Sequence, residues 1–248
     1  MTKRVALVTG GTGGIGTAIC QQLAKIGYQV AAGYNSGGDH EKARAWQAEQ
    51  KAAGFNIAIS FGDVRDFDSC GRCVAEVEEM LGPIDILVNN AGITRDSTLR
   101  KMSKEQWDAV LTSNLDSVFN MTRHVINGMV DRTFGRIVNV SSVNAQKGQL
   151  GQTNYAAAKS GIHGFTKALA QEVARKGVTV NTVSPGYIAT KMVMAVPDEI
   201  RAEIIKGIPV GRLGEPEEIA RAVAFLIDDT SGFITGANLA VNGGQHMF

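Results

Sequence analysis

The sequence predicts an α/β fold, a doubly wound parallel sheet of about seven strands with helices on both faces. Three observations predict it. Short β-rich runs alternate with segments of helical period almost to the end of the chain. The runs are apolar on both faces, as in Ile86-Leu87-Val88, which suits strands buried between two helical layers rather than a sheet with one wet face. A glycine cluster from Gly10 to Gly16 stands where the first strand hands over to the first helix.

Taken in order, Arg4 to Thr9 reads as the first strand. Ile15, Ile19, Leu23 and Ile26 then recur on one helix face, and Gly27 is placed to end that helix. Gln29 to Gly33 is the second strand, and Asp39 to Ala53 a helix capped by Asp39 and stopped by Gly54. Asn56 to Phe61, Asp66 to Leu81 and Ile84 to Asn89 repeat the strand–helix–strand pattern. Helical segments follow at Ser103 to Val110 and Leu115 to Met129, then a fifth strand at Arg136 to Ser141. Tyr155 to Lys176 is a long helix, Val178 to Ser184 the sixth strand, Pro216 to Leu226 a helix with proline in its first turn, and Asn238 to Val241 a last short strand. Tyr187 to Gly211 lacks a clear period, and long connections of this kind often cover a site. No linker, repeat or low-complexity stretch divides residues 1–248, which read as a single domain.

Composition removes several classes. With 248 residues, 44% of them hydrophobic and 20% charged, the chain can bury a sizeable core and is neither disordered nor a coiled coil. A net charge of +1 supplies no field for nucleic acid or a membrane surface. No run is long enough to span a bilayer, and Val5 to Val8 is too short for the core of a signal peptide. Three cysteines cannot form a fully paired disulfide framework, so a reducing, cytoplasmic setting is expected. Cys70-Gly71-Arg72-Cys73 superficially resembles a redox or zinc motif. Yet Cys70, Val74, Val77 and Leu81 share a helical spacing that reads as core, and the four histidines match no ligand spacing, so no metal is expected.

Two groups of residues carry chemistry. Gly11-Thr12-Gly13-Gly14-Ile15-Gly16 fits G-x-G-x-x-G between a strand and an amphipathic helix. Absent side chains there let the backbone approach a pyrophosphate, and the helix start offers free N–H groups, so the loop predicts nucleotide binding. Tyr155 and Lys159, four apart, share one face of a helix. A nearby ammonium lowers a phenol's pKa and fits the tyrosine for proton transfer to a carbonyl oxygen as hydride reaches the carbon. A plain surface Tyr/Lys pair would look the same, and the glycine loop is what favours the catalytic reading.

A second register, Thr9-Gly10-x-x-x-Gly14-x-Gly16, is followed by Asp63-Val64, Asn89-Asn90-Ala91-Gly92, Asn114, Ser141-Ser142, Tyr155-x-x-x-Lys159 and Pro185-Gly186. In this order, over nearly the whole chain, these resemble the classical short-chain dehydrogenases/reductases. The resemblance implies a Rossmann-type sheet. It implies a nicotinamide dinucleotide held by Gly10, Thr12, Gly13, Gly14, Ile15, Gly16, Asp63, Val64, Asn90, Ala91, Gly92, Tyr155, Lys159, Pro185, Gly186 and Ile188. It also implies catalysis by Asn114, Ser142, Tyr155 and Lys159, with Ser142 holding the substrate oxygen, Asn114 anchoring a water relay and Lys159 holding the nicotinamide ribose. In relatives that prefer NAD an acidic residue stands near position 34; here Tyr34, Asn35 and Ser36 would border the adenosine ribose without repelling a 2′-phosphate, so NADPH is expected. Relatives that prefer NADP often carry an arginine in this region. None lies in the glycine loop or directly after the second strand, which leaves the phosphate ligand open among residues such as Lys42 and Arg44.

The stretch from Ser141 to Tyr155, with Gly92-Ile93-Thr94-Arg95-Asp96, Pro185-Gly186-Tyr187-Ile188-Ala189-Thr190 and the ending Asn242-Gly243-Gly244-Gln245-His246-Met247, more narrowly resembles the acetoacetyl-CoA reductases of polyhydroxybutyrate synthesis. That resemblance implies reduction of acetoacetyl-CoA to (R)-3-hydroxybutyryl-CoA. Asp96, Lys101, Ser142, Gln149, Leu150, Gln152, Tyr155, Gly186 and Tyr187 would then meet the substrate, and the protein would be a homotetramer with the long helices after the fourth and fifth strands between subunits. The alternatives are a 3-oxoacyl-(acyl-carrier-protein) reductase of fatty-acid synthesis and, in another class, a catalytically inactive nucleotide-binding sensor or scaffold.

Overall fold

The computed structural model describes residues 3–247. Seven strands, β1 (Val5–Thr9), β2 (Gln29–Tyr34), β3 (Ile57–Phe61), β4 (Ile84–Asn89), β5 (Gly135–Val140), β6 (Val178–Pro185) and β7 (Asn238–Val241), form one sheet in the order β3-β2-β1-β4-β5-β6-β7. Every pairing is parallel. The helices are α1 (Gly14–Lys25), α2 (His40–Ala52), α3 (Phe67–Leu81), α4 (Lys104–Leu111), α5 (Ser117–Asp131), α6 (Asn144–Lys147), α7 (Thr153–Val173), α8 (Lys191–Met194), α9 (Asp198–Lys206) and α10 (Pro216–Ile227). This is the Rossmann-type architecture that the alternation predicts.

Side chains alternate across each strand and so feed two cores. Ala6 and Val8 of β1 join Ile19 and Leu23 of α1 and Ile219 and Val223 of α10 on one face. Val5 and Leu7 join Val74 and Val77 of α3, Met121 and Val125 of α5, and Ala170 and Val173 of α7 on the other. Cys70 is fully buried in the second core, and burial pushes its thiol up to about 12, the state of an inert packing residue rather than a redox thiol.

Two features depart from the sequence reading. Helices α4 and α5 are joined without a break by a π-helical turn, Thr112–Asp116. An extra residue per turn disturbs the 3.6-residue period, so the apolar pattern reads there as a gap. The long connection after β6 holds α8 and α9, and α9 buries no residue, so it leaves no core-facing stripe in the sequence.

The strand order reverses between β1 and β4, which opens a crevice beyond their carboxyl ends. Thr9 fastens its two sides together. Its hydroxyl accepts from the backbone N–H groups of Asn90 and Ala91, both at 3.0 Å, and the Asn90 side chain donates to the carbonyls of Thr9 and Gly10.

Candidate active site

The glycine loop lies at this crevice and is as tight as its composition implies. Gly10 has φ +62°, a left-handed conformation that glycine adopts without strain. A Cβ on Gly16 would fall 2.2 Å from the Gly10 carbonyl oxygen and 2.9 Å from Asn90 Nδ2, so only glycine lets α1 start against β4. Gly13 caps α1 with no side-chain hydrogen bond, and no acidic residue occupies its first turn. The first N–H groups of α1 therefore face the crevice with their positive dipole end uncompensated, which suits a pyrophosphate. The segment after β6 returns over this loop: the side chain of Thr190 stands 3.1 Å from where a Gly14 Cβ would be, and Ile188 bridges to Gly214.

The residues expected to border the adenosine lie at the tips of β2 and β3. Tyr34 does not offer its hydroxyl to the crevice. It is 7% exposed, shares a 2.8 Å hydrogen bond with His40 Nδ1, and sits edge-on to His40 and Phe61. Asn35 accepts from the backbone of Gly37. The side chain of Ser36 lies outside the described residues. Asp63 is held below the usual carboxylate range by Arg65, whose Nε and Nη2 grip its two oxygens at 2.9 and 2.6 Å. Val64 packs against the second core, and its carbonyl accepts from Asn120. Arg65 had drawn no notice in the sequence because its pairing with Asp63 is visible only in three dimensions. It brings a guanidinium to the end of the crevice where Lys42 and Arg44 were the candidates. Arg44 instead pairs with Glu41 on the surface of α2.

The residues expected to react, Ser142, Tyr155 and Lys159, lie just beyond the end of β5 and at the start of α7. Ser142 accepts from the Asn144 backbone N–H at 3.1 Å, and its hydroxyl is close enough to the Tyr155 phenol to act on its pKa. Lys159 is 3% exposed; its Nζ donates to the Val140 carbonyl at 2.8 Å and stands 5.8 Å from the centre of the Tyr155 ring. Burial lowers the Lys159 pKa from 10.5 to about 8. Burial also raises the Tyr155 pKa, with the nearby Ser142 hydroxyl opposing the rise and Asp96 adding to it. This departs from the expectation of a depressed phenol. At this separation and depth, desolvation of the phenolate outweighs the ammonium.

Asn114, in the π turn, is fully buried and donates to the carbonyls of Ile93 and Val110. Those bonds fix its amide, and its Oδ1 is left without a partner. A Cβ on Gly92 would lie 2.4 Å from that oxygen and 3.4 Å from Lys159 Nζ, so Gly92 is the gap through which the two face each other. A buried acceptor beside an ammonium with N–H groups to spare is a seat for a bridging water.

At the mouth, Gln152 spends both ends of its amide: Nε2 donates to Asp96 at 2.8 Å and Oε1 accepts from Asn144 at 2.9 Å. Gln149 and Leu150 are exposed on the preceding loop, Leu150 at 87%, and Lys101 is exposed on the segment after β4. That segment is tied to the α7 start by Ser97 N–H to Gly151 and by Asn154 to the Arg95 carbonyl. Pro185 ends β6. Gly186 donates to the Val241 carbonyl, and the Tyr187 N–H donates to Gln245. Asn114 and Lys159 thus face each other across Gly92, Tyr155 lies beside Lys159, and Thr190 returns over the glycine loop, while Tyr34 is turned into packing.

A family model described as enoyl-(acyl carrier protein) reductase matches residues 10–246. The chain is 58% identical over 247 residues to an acetoacetyl-CoA reductase of Cupriavidus necator, covering 100% of both sequences. It is 57% identical over 244 residues to one of Allochromatium vinosum, covering 98% of this chain and 99% of that one. To a 3-oxoacyl-(acyl-carrier-protein) reductase of Haemophilus influenzae it is 44% identical over 247 residues, again end to end.

Proposed function

We infer the reaction from one premise: the chain belongs to the short-chain dehydrogenase/reductase family. It is an oxidoreductase that reduces acetoacetyl-CoA to (R)-3-hydroxybutyryl-CoA. The observation that carries this reading is the buried Lys159 ammonium 5.8 Å from the Tyr155 ring, with Ser142 close by, in a chain 58% identical throughout to an acetoacetyl-CoA reductase. We take the cofactor to be NADPH. The glycine cradle and the bare start of α1 fit its pyrophosphate, and the Asp63 carboxylate after β3 is neutralised by Arg65. Arg65 and Asn35 would meet the 2′-phosphate, while Lys159 would hold the nicotinamide ribose. The bound cofactor supplies the hydride.

The protein's own groups handle the oxygen and the proton. The Ser142 hydroxyl and the Tyr155 phenol are set to hold one ketone oxygen between them. The raised pKa keeps the phenol protonated at neutral pH, which is the form a reduction needs in its acid. As charge develops on the oxygen, the Tyr155 proton moves to it. The Lys159 ammonium stabilises the phenolate that is left and, as the stronger acid of the two, returns a proton to it, and a water between Lys159 Nζ and Asn114 Oδ1 would carry the replacement proton in from solvent.

The wider setting is inferred in the same way. A short (R)-3-hydroxyacyl thioester is the monomer of polyhydroxybutyrate, and we place the enzyme in that synthesis, in the cytoplasm. No helix among the described residues is long and apolar enough to cross a membrane. We propose a homotetramer; the half-exposed Phe119 of α5, stacked on Phe67, presents the apolar face such an assembly would cover. The test is nicotinamide oxidation with acetoacetyl-CoA and with the acyl-carrier-protein thioester, each with NADPH and NADH. A higher kcat/KM for acetoacetyl-CoA with NADPH supports the reading, and preference for the protein-borne thioester assigns the enzyme to fatty-acid synthesis.

A further inference from the structure

We propose that His163 is a positioning residue: with one N–H it locks Ser141 and Ser184 and, through Ser141, fixes the Lys159 turn of α7 against the catalytic end of β5. Its ring lies four residues beyond Lys159, and Nε2 is 2.9 Å from Ser141 Oγ and 3.4 Å from Ser184 Oγ. The Ser141 hydroxyl donates to the backbone carbonyl of Lys159 at 2.9 Å. The Ser184 hydroxyl donates to Asn238 Oδ1 at 2.7 Å. Both serine protons are therefore committed to groups that can only accept, and both serine oxygens meet His163 as acceptors. The histidine must present a proton on Nε2. Burial and the neighbouring Lys167 lower its pKa, so the ring is neutral and its tautomer is fixed by the network.

The result is a chain of contacts from the edge strand to the catalytic helix: Asn238 of β7, Ser184 of β6, His163 of α7, Ser141 at the end of β5, and the Lys159 carbonyl. Its consequence is geometric. The Ser141 N–H donates to the Val183 carbonyl and the Val143 N–H to the Pro185 carbonyl, so the backbone on either side of Ser142 is pinned to β6. The start of α7 is then registered against that backbone by Lys159 Nζ to Val140 and Ser141 Oγ to the Lys159 carbonyl, and against the turn after Ser142 by Ser160 Oγ to the Ala145 carbonyl and Asn144 Nδ2 to Gln152. His163 orients the second. Without its N–H, Ser141 Oγ keeps no donor in the protein and its hydroxyl is free to turn away from Lys159. Lys159 would then lose one of its two direct bonds to the end of β5, and the Tyr155–Lys159 pair would be free to shift relative to Ser142. Small displacements of this kind cost rate rather than affinity.

The test compares His163→Leu, which keeps bulk but loses the donor, with His163→Gln, whose amide N–H reaches a similar distance. Each is measured by kcat and KM for acetoacetyl-CoA, by NADPH binding through fluorescence titration, and well below its melting temperature. His163→Leu should lose about tenfold in kcat with KM and NADPH affinity nearly unchanged, and His163→Gln should recover most of that loss. Ser141→Ala should match His163→Leu, and the double variant should be no slower than either, because both cut one path. If His163→Leu fails to fold, Ser141→Ala and His163→Gln still decide: the first must be slow and the second near wild type. Wild-type kcat in His163→Leu, equal loss in the leucine and glutamine variants, or losses that multiply in the double variant would overturn the proposal.

Discussion

Lys159 Nζ, buried behind the partly exposed Tyr155 ring, stands 5.8 Å from its centre with the ammonium bonded to the Val140 carbonyl. Holding a cation there is costly: burial brings its pKa from 10.5 down to about 8. Between those values the unfolded chain keeps a proton that the folded protein has released, so this group's contribution to stability improves as pH rises from about 8 to 10.5, and its penalty is complete below 8. Lys159→Met should therefore fold more stably than wild type at pH 7 while losing activity. The gain is at most about 3 kcal/mol, less about 1 kcal/mol for the carbonyl left without its donor. The gap should close near pH 10. Denaturant unfolding of both proteins without cofactor at the two pH values checks this; a methionine variant weaker than wild type at pH 7 contradicts it.

The same shift sets an alkaline limit on cofactor capture. Lys159 is the cation assigned to the nicotinamide ribose, and it discharges near pH 8. The kcat/KM for NADPH, which reports the free enzyme, should fall above about that pH. The raised Tyr155 phenol cannot be the source of such a limb. A profile flat to pH 9.5 would separate Lys159 from cofactor binding.

Arg65 should decide which nicotinamide binds. Removing it in Arg65→Ala takes away the guanidinium and leaves Asp63 unneutralised beside the ribose. NADPH affinity should fall by about tenfold or more, the scale of a lost charge-assisted hydrogen bond, while NADH affinity holds or improves. Fluorescence titration measures both. Equal losses for the two cofactors, or none, would move the phosphate site elsewhere.

Acyl length should be limited by the Asp96–Gln152–Asn144 bridge at the mouth. An acyl chain of eight carbons must break it and strand its polar groups at roughly 1–3 kcal/mol each, so four- and five-carbon substrates should be favoured about tenfold or more in kcat/KM. Gln152→Ala should narrow that preference. An unchanged ratio between the short and long thioesters would place the acyl end away from Gln152.

Much of this was legible in the residues because the information is local. Ile84–Asn89 and Asn238–Val241 form strands with the bounds their apolar runs announce, and Asp39 caps α2 with its side chain accepting from the Lys42 N–H. The glycines reported their own crowding, most directly at Gly16. What escaped depends on neighbours distant in sequence. Tyr34 reads as a ribose contact until Phe61 and His40 close on it. The Asp63–Arg65 grip looks like two surface charges in sequence. The π turn that aims Asn114 at Lys159 breaks the periodicity that would have revealed a helix. The direction of the Tyr155 shift could not be read from its spacing to Lys159, since it depends on how deeply both are buried.

The central claim is that the Tyr155 phenol delivers the proton to the ketone of acetoacetyl-CoA. Tyr155→Phe removes that proton and almost no surface. Its NADPH affinity should match wild type in fluorescence titration, while kcat for acetoacetyl-CoA reduction should fall about 10²–10⁴-fold, the usual worth of a positioned general acid. A variant that binds NADPH normally and keeps more than about a tenth of wild-type kcat would contradict the account, because the acid would then have to be another group.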